Sequence, residues 1–243
     1  NYQVNLSATY PYSMLLQEDI LLIENLTAEE GLQFISEKFT SGAVFSTSLG
    51  QEDQVITDMI FKNQMNIKVF TLDTGRLFYE HYELLSQNDA RYKAKTEVYF
   101  PDSEDVEKYV NEKGINAFFH SIENRKECCY IRKVKPLNRA LEGAKIWITG
   151  LRSEQSEIRE NMKMIEWDDD RKLFKFNPLI HWTYQDVLDY IEQHNVQDLP
   201  LHKKGFISVG CKPCTRAITD GENPRAGRWF WEESQKECGL HSQ

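Results

Sequence analysis

The sequence predicts an α/β fold, a mainly parallel twisted sheet with helices on both faces. Short runs rich in β-branched and aromatic residues alternate with segments of helical period over most of the 243 residues, the pattern of strands joined by crossover helices. Three of these runs end in polar loops, at residues 46–53, 73–76 and 149–156. Parallel sheets bind ligands there, beyond the carboxyl ends of their strands.

In chain order, residues 1–25 show no clear period and read as an arm packed on the core. Thr27, with Glu30 three residues on, makes a capping box for a helix to about Lys38. Residues 43–48 are β-type and turn into a helix whose face carries Val55, Ile56, Met59 and Ile60. A second strand covers 67–72 and a helix 77–85. A third strand at 96–100 stops at Pro101, and Asp102 or Ser103 caps a helix to about Glu112. Residues 126–141 have helical spacing with a kink expected at Pro136. Residues 145–149 and 173–176 are strands, and Thr183 with Asp186 caps a helix ending near His194. From about Pro200 aromatics, glycines and cations mix without period. The expected organisation is one domain: an arm (1–25), an α/β core (26–218) and a mobile C-terminal tail (219–243).

Composition narrows the function. The 28% charged and 40% hydrophobic fractions exclude a disordered chain, and no apolar run approaches the ~20 residues of a membrane span. A net charge of -9 argues against a nucleic-acid binder. Cations nevertheless gather at Arg125, Lys126, Arg132, Lys133, Lys135 and Arg139, and at Lys203, Lys204, Lys212, Arg216, Arg225 and Arg228, which suits a small anionic substrate. The start, Asn1-Tyr2-Gln3, shows no signal peptide, so a reducing, cytoplasmic setting without structural disulfides is expected; it also lacks an initiator Met, so a native N-terminus is not implied.

Four of the 5 cysteines form two pairs, Cys128-Cys129 and Cys211-Lys212-Pro213-Cys214. Any one alone reads as a small buried apolar residue; two pairs together read as a metal site. Zinc ligands within a pair are normally separated by about 2–4 residues. Adjacent helical residues point ~100° apart, which a 4Fe–4S cluster with separated iron corners tolerates better than one ion. Cys238 stands apart, beside Lys236 and His241. It is either an inert terminal thiol or a nucleophile, and nearby cations favour the thiolate. The strand-to-helix turn holding Ser46, Ser48, Leu49, Gly50, Glu52 and Asp53 can aim backbone N–H groups at an anion, although it lacks the Walker pattern.

Taken together, Ser48-Leu49-Gly50-Gln51-Glu52-Asp53, Leu72-Asp73-Thr74-Gly75-Arg76, Cys128-Cys129 with Arg132-Lys133, Thr149-Gly150-Leu151-Arg152, Gly210-Cys211-Lys212-Pro213-Cys214-Thr215-Arg216 and Lys236-Glu237-Cys238-Gly239-Leu240-His241 resemble the assimilatory sulfonucleotide reductases, specifically the iron–sulfur adenylyl-sulfate (APS) reductases. The resemblance implies a fold like the adenine nucleotide α-hydrolases with a modified pyrophosphate loop. It implies reduction of adenosine 5′-phosphosulfate to sulfite and AMP, with Cys238 forming an S-sulfocysteine and thioredoxin or a similar dithiol protein supplying electrons. Carried over by position, Cys128, Cys129, Cys211 and Cys214 hold the 4Fe–4S cluster. Residues 46–53 meet the nucleotide's anionic end, and Leu72, Asp73, Thr74, Gly75 and Arg76 flank the adenosine. Lys133, Arg225, Arg228 and the loop bearing Gly150, Arg152 and Arg159 are placed at phosphate and sulfate, and His241 is carried over as a substrate-binding residue. Three alternatives stay open: use of the 3′-phosphorylated substrate (PAPS), a zinc-stabilised nucleotide-binding protein, and an ATP-using adenylating enzyme, whose usual Ser-Gly-Gly-x-Asp-Ser loop is missing here. A homo-oligomer is neither implied nor excluded.

Overall fold

The structure is a computed structural model that describes residues 15–155 and 162–232. Six strands form one sheet in the order β3-β2-β1-β4-β6-β5: β1 (Ala43–Thr47), β2 (Lys68–Leu72), β3 (Glu97–Tyr99), β4 (Ile146–Ile148), β5 (Ile165–Asp168) and β6 (Leu173–Phe176). All neighbouring pairs are parallel except β5 with β6. From β1 the chain winds outward through β2 to β3, then returns to β4 on the other side of β1. The switch point therefore falls between β1 and β4, where such sheets open a ligand crevice.

Helices cover both faces. On one lie α2 (Ala28–Lys38), α3 (Gln51–Lys62) and α8 (Tyr184–Gln193), which bury Leu32, Ile35, Ile56, Ile60 and Val187 against Phe45, Ile148 and Phe176. On the other, α7 (Lys135–Ala140) sets Leu137 and Ala140 on Val44, Phe70 and Trp147. Residue pairs at one-turn spacing on amphipathic faces explain both contacts. The helix starts follow the expected caps. Thr27 and Glu30 exchange bonds of 2.9 and 3.3 Å, Thr183 and Asp186 bonds of 2.7 and 3.1 Å, and Asp102 caps α5 (Ser103–Lys113). Helix α4 (Tyr79–Tyr92) runs beyond the expected 77–85.

Four features differ from expectation. Within the N-terminal arm, Gln17–Ile23 is a helix, α1, with Ile23 buried. Strand β5 was not expected; Ile165-Glu166-Trp167-Asp168 does alternate apolar and charged residues, and Asp168 caps the turn into β6 by accepting from the Asp170 and Arg171 amides. The helix through Pro136 begins earlier, as α6 (Ile122–Cys129) capped by Ser121. It does not break at the proline. It widens to a π turn at Tyr130–Val134, with the Lys135 amide donating to Tyr130, just before the residue that has no amide to donate. Finally, part of the expected tail packs down, since Trp229 is 1% exposed. No helix among the described residues is long and apolar enough to cross a membrane.

Candidate active site

The turn after β1 is held by one carboxylate. Asp53, in the first turn of α3, accepts from both the amide and the hydroxyl of Ser48 at 2.6 Å. Leu49 takes a left-handed conformation (φ 63°), its amide donating to Thr47 Oγ1 at 3.0 Å and its side chain buried with Phe78, Leu84, Leu199 and Leu201. Gly50 caps α3. Across the switch point, a Cβ on Gly150 would stand 2.0 Å from Asp53 Oδ1, so only glycine fits there. Ser46 faces sideways within the sheet, its hydroxyl accepting from the Trp147 indole at 2.8 Å. Arg152 is 5% exposed and pairs with Glu52 at 2.9 Å and Glu154 at 3.1 Å, over the Tyr184 ring.

The turn after β2 faces the cysteines. Leu72 packs in the sheet layer with Val44 and Phe70. Asp73 accepts from the Gly75 amide at 2.7 Å and from Tyr82 at 3.1 Å, and Gly75 needs its left-handed φ of 71°. Burial, reinforced by Asp73, pushes the Tyr82 phenol up to about 12. The Thr74 hydroxyl lies 3.2 Å from Cys211 Sγ, and its carbonyl accepts from Arg132 at 2.6 Å. Arg76 lies over Phe118 and its carbonyl accepts from the Lys212 amide at 2.8 Å.

Cys128, Cys129, Cys211 and Cys214 line one small cavity together with Arg76, Arg132, Lys133 and Trp229. The two adjacent cysteines end α6 where the helix widens, and the other two flank a single 3₁₀ turn, Lys212–Cys214. Burial pushes the Cys214 thiol up to about 12, with Lys133 and Arg228 pulling against it, and burial raises Cys128 as well. Among the described residues no group of three or more His, Cys, Asp or Glu side chains is arranged to hold a single metal ion.

Residues 225–232 close the back of this cavity. The Trp229 amide donates to the Cys214 carbonyl at 3.0 Å, and its ring lies between the guanidiniums of Arg125 and Arg228, at 4.5 and 4.8 Å. Arg125 and Glu232 form a buried two-bond pair at 2.8 and 2.9 Å. Arg228 donates to the Val209 carbonyl at 3.0 Å, its Nε is buried without a hydrogen-bond partner, and it lies so close to Gly210 that a Cβ there would meet it at 2.4 Å. Arg225 is half-buried, its amide donating to Asn223. Cys238, His241 and Arg159 lie outside the described residues. Sequence reasoning missed Phe118 and the Arg125–Glu232 pair, while Trp229, in an aromatic run whose expected role is packing, is buried. The partners of that pair stand 107 residues apart and no local pattern links them.

A model of the phosphoadenosine phosphosulfate reductase domain matches residues 42–217. The adenosine 5′-phosphosulfate reductase of Allochromatium vinosum is 44% identical over 227 residues, covering 93% of this chain and 88% of that protein. The enzymes of the same name from Sinorhizobium fredii strain USDA 257 and Neisseria meningitidis serogroup B are 49% and 47% identical, each over 82% of this chain and over 80% and 82% of their own length. Among solved structures, a phosphoadenylyl-sulfate (PAPS) reductase from Candida auris, in a phosphate complex, superposes with a TM-score of 0.69 at 26% identity, over 82% of this chain and 97% of that one. Candida glabrata FMN adenylyltransferase, at 16% identity and a TM-score of 0.53 over 87% of this chain and 74% of that one, shares the fold.

Proposed function

This chain belongs to the phosphoadenosine phosphosulfate reductase family, and on that footing we propose that it reduces adenosine 5′-phosphosulfate to sulfite and AMP by way of Cys238. The observation that carries the reading is the convergence of four cysteines, from two distant segments, on one cavity walled by Lys133. Relatives at 44% and 49% identity are named for the substrate without a 3′-phosphate, which favours it over PAPS.

The donor set suits a 4Fe–4S cluster held by Cys128, Cys129, Cys211 and Cys214. Four soft thiols share a cavity with cationic side chains, and thiols that burial holds protonated become thiolates when a metal group replaces the proton. When bound, the cluster supplies a fixed local field and anchors the π turn that carries Lys133; it does not need to supply electrons.

The chemistry belongs to thiols. The Cys238 thiolate attacks the sulfur of the sulfate group. A sulfur–sulfur bond forms, the bond from sulfur to the phosphate oxygen breaks, and AMP leaves with the electron pair. A thiolate of thioredoxin, or of a similar dithiol protein, then attacks Cys238 Sγ and sulfite departs. The donor's second thiol closes its own disulfide and returns Cys238 as a thiolate. Two electrons pass from the dithiol to sulfur. The turn at Ser48, Leu49 and Gly50 receives the anionic end of the nucleotide, and Leu72, Asp73, Thr74, Gly75 and Arg76 border its adenosine. Lys133, Arg225 and Arg228 neutralise phosphate and sulfate, and Arg152 braces Glu52 beside that turn.

Incubating the holoenzyme with sulfur-labelled adenosine 5′-phosphosulfate, without a dithiol donor, tests the reading. A covalent label that thiols remove is expected, absent from Cys238→Ser. In that variant sulfite release falls by at least about a thousandfold while AMP affinity is kept. Turnover retained by Cys238→Ser with a dithiol donor would remove Cys238 from the mechanism.

A further inference from the structure

Beside the turn that follows β1 lies a buried polar group that the reaction does not use. After α8 the chain folds back over the start of α3. Asp198 Oδ2 accepts from Gln51 Nε2 at 2.7 Å, and Gln51 Oε1 accepts from the Tyr184 hydroxyl at 2.7 Å. Gln51 follows Gly50 and is the first residue of α3, so Asp198 holds the turn by its side-chain amide. Just behind it, Gln54 donates to the Gln197 carbonyl at 2.8 Å.

The other oxygen of Asp198 faces His202 Nε2 at 3.5 Å, and neither atom has a hydrogen-bond partner although both are buried. His202 Nδ1 is 2.9 Å from the Phe206 carbonyl, which can only accept, so Nδ1 carries a proton. A neutral ring would then turn the Nε2 lone pair toward a carboxylate oxygen. A proton on Nε2 satisfies both buried atoms at once.

We infer that Asp198 and His202 share one proton as a buried charged pair and that this pair, acting through Gln51, positions the nucleotide-receiving turn. The inference rests on the proposed function for what the turn binds, though not for the state of the pair. The groups around the pair leave it the proton. His81 of α4 is neutral, since burial holds it down at about 4. Tyr184 of α8 is neutral too, raised first by burial and then by Glu52 and Asp198, with Arg152 opposing. Lys203, on the pair's own segment, pulls the Asp198 carboxyl down. Burial pushes the Asp198 carboxyl up, and His202 is the strongest opposing influence.

Asp198 and His202 are positioning residues, and pH separates that role from simple packing. The probe is AMP, titrated calorimetrically against the full-length holoenzyme across a pH series above about 7, where its phosphate is mostly doubly ionised. Loss of the shared proton as the pH rises weakens wild-type binding several-fold. Asp198→Asn holds Gln51 with its carbonyl and the neutral ring with its amide, and His202→Gln gives Asp198 a permanent N–H donor. Both variants bind AMP with a flat pH profile. Nitrogen NMR of wild-type His202 at neutral pH shows both ring nitrogens protonated. A single protonated ring nitrogen, or the same pH slope in wild type and both variants, overturns the inference. If AMP binds none of the three proteins, it is the nucleotide reading that falls. Amide exchange of residues 47–54 then tests the pair: protection that drops with pH in wild type alone supports it, and equal protection at all pH values overturns it.

Discussion

The turn after β1 and the cysteine cavity both present charged groups near the carboxyl ends of the strands, yet they are held by different means. The turn is local. Asp53 bonds Ser48 five residues away, Thr47 accepts from Leu49, and Gly150 seals the side across the sheet's switch point. The cavity is assembled from afar. Thr74 meets Cys211 across 137 residues, Arg132 meets the Thr74 carbonyl across 58, and Arg125 meets Glu232 across 107. Its walls are the end of α6, a π turn, two 3₁₀ turns and irregular chain. The turn keeps its first partners within its own segment. The cavity depends on chain brought in from afar, and burial holds its Cys214 thiol protonated, up at about 12.

The largest expected effect breaks one half and spares the other. On the cluster reading proposed above, Cys211→Ala should abolish bound iron and acid-labile sulfide, and amide exchange across residues 209–232 should lose its protection, while β1, β2 and α3 keep theirs. Iron retained at the wild-type ratio would exclude Cys211 as a ligand, and loss of protection in the sheet would show that the halves are one cooperative unit.

A smaller effect separates the clasp from the cluster. Glu232→Gln removes the carboxylate charge facing the buried Arg125 guanidinium, a change that costs about 3 kcal/mol and lowers Tm by roughly 10 °C in a chain of this size. Replacing both residues by Met removes the uncompensated charge and should recover much of the loss. A double variant no more stable than Glu232→Gln would mean that packing around Trp229, rather than charge, is what the pair supplies.

The same contrast explains what could be read from the sequence. Strand–helix alternation, the Thr27, Asp102 and Thr183 caps, and the turns after β1, β2 and β4 are short-range patterns, and the structure has each of them. The cysteines were legible because their chemistry is rare, not because their neighbours predict a cavity. Strand β5 was missed because an edge strand of four residues carries little periodic signal. The helix over 126–141 was legible from its spacing; its earlier start at Ile122 and the π turn ahead of Pro136 were not, since proline marks only where an amide is missing. Arg125 with Glu232, and Asp198 with His202, depend on tertiary placement or on orientation that no spacing reveals.

The last prediction turns to the local half. A methyl group at position 150 would lie 2.0 Å from Asp53 Oδ1 and 3.1 Å from its Cγ. That carboxylate is no loose side-chain end, because two 2.6 Å bonds from Ser48 fix it. Gly150→Ala must therefore shift the β4 loop or pull Asp53 from Ser48, at about 1–3 kcal/mol. The turn loses the alignment of its amides, and AMP affinity falls by about tenfold, equivalent to about 1.4 kcal/mol. On the cluster reading, iron and sulfide content stay at wild-type values, because the atoms nearest a Cβ at Gly150 belong to Asp53 and Glu52, which do not line the cavity. Calorimetric AMP binding and metal analysis on the same preparation read both effects. If affinity holds, the turn yields more easily than its bonds suggest; if iron is lost as well, the two regions are coupled through the sheet and their separation fails.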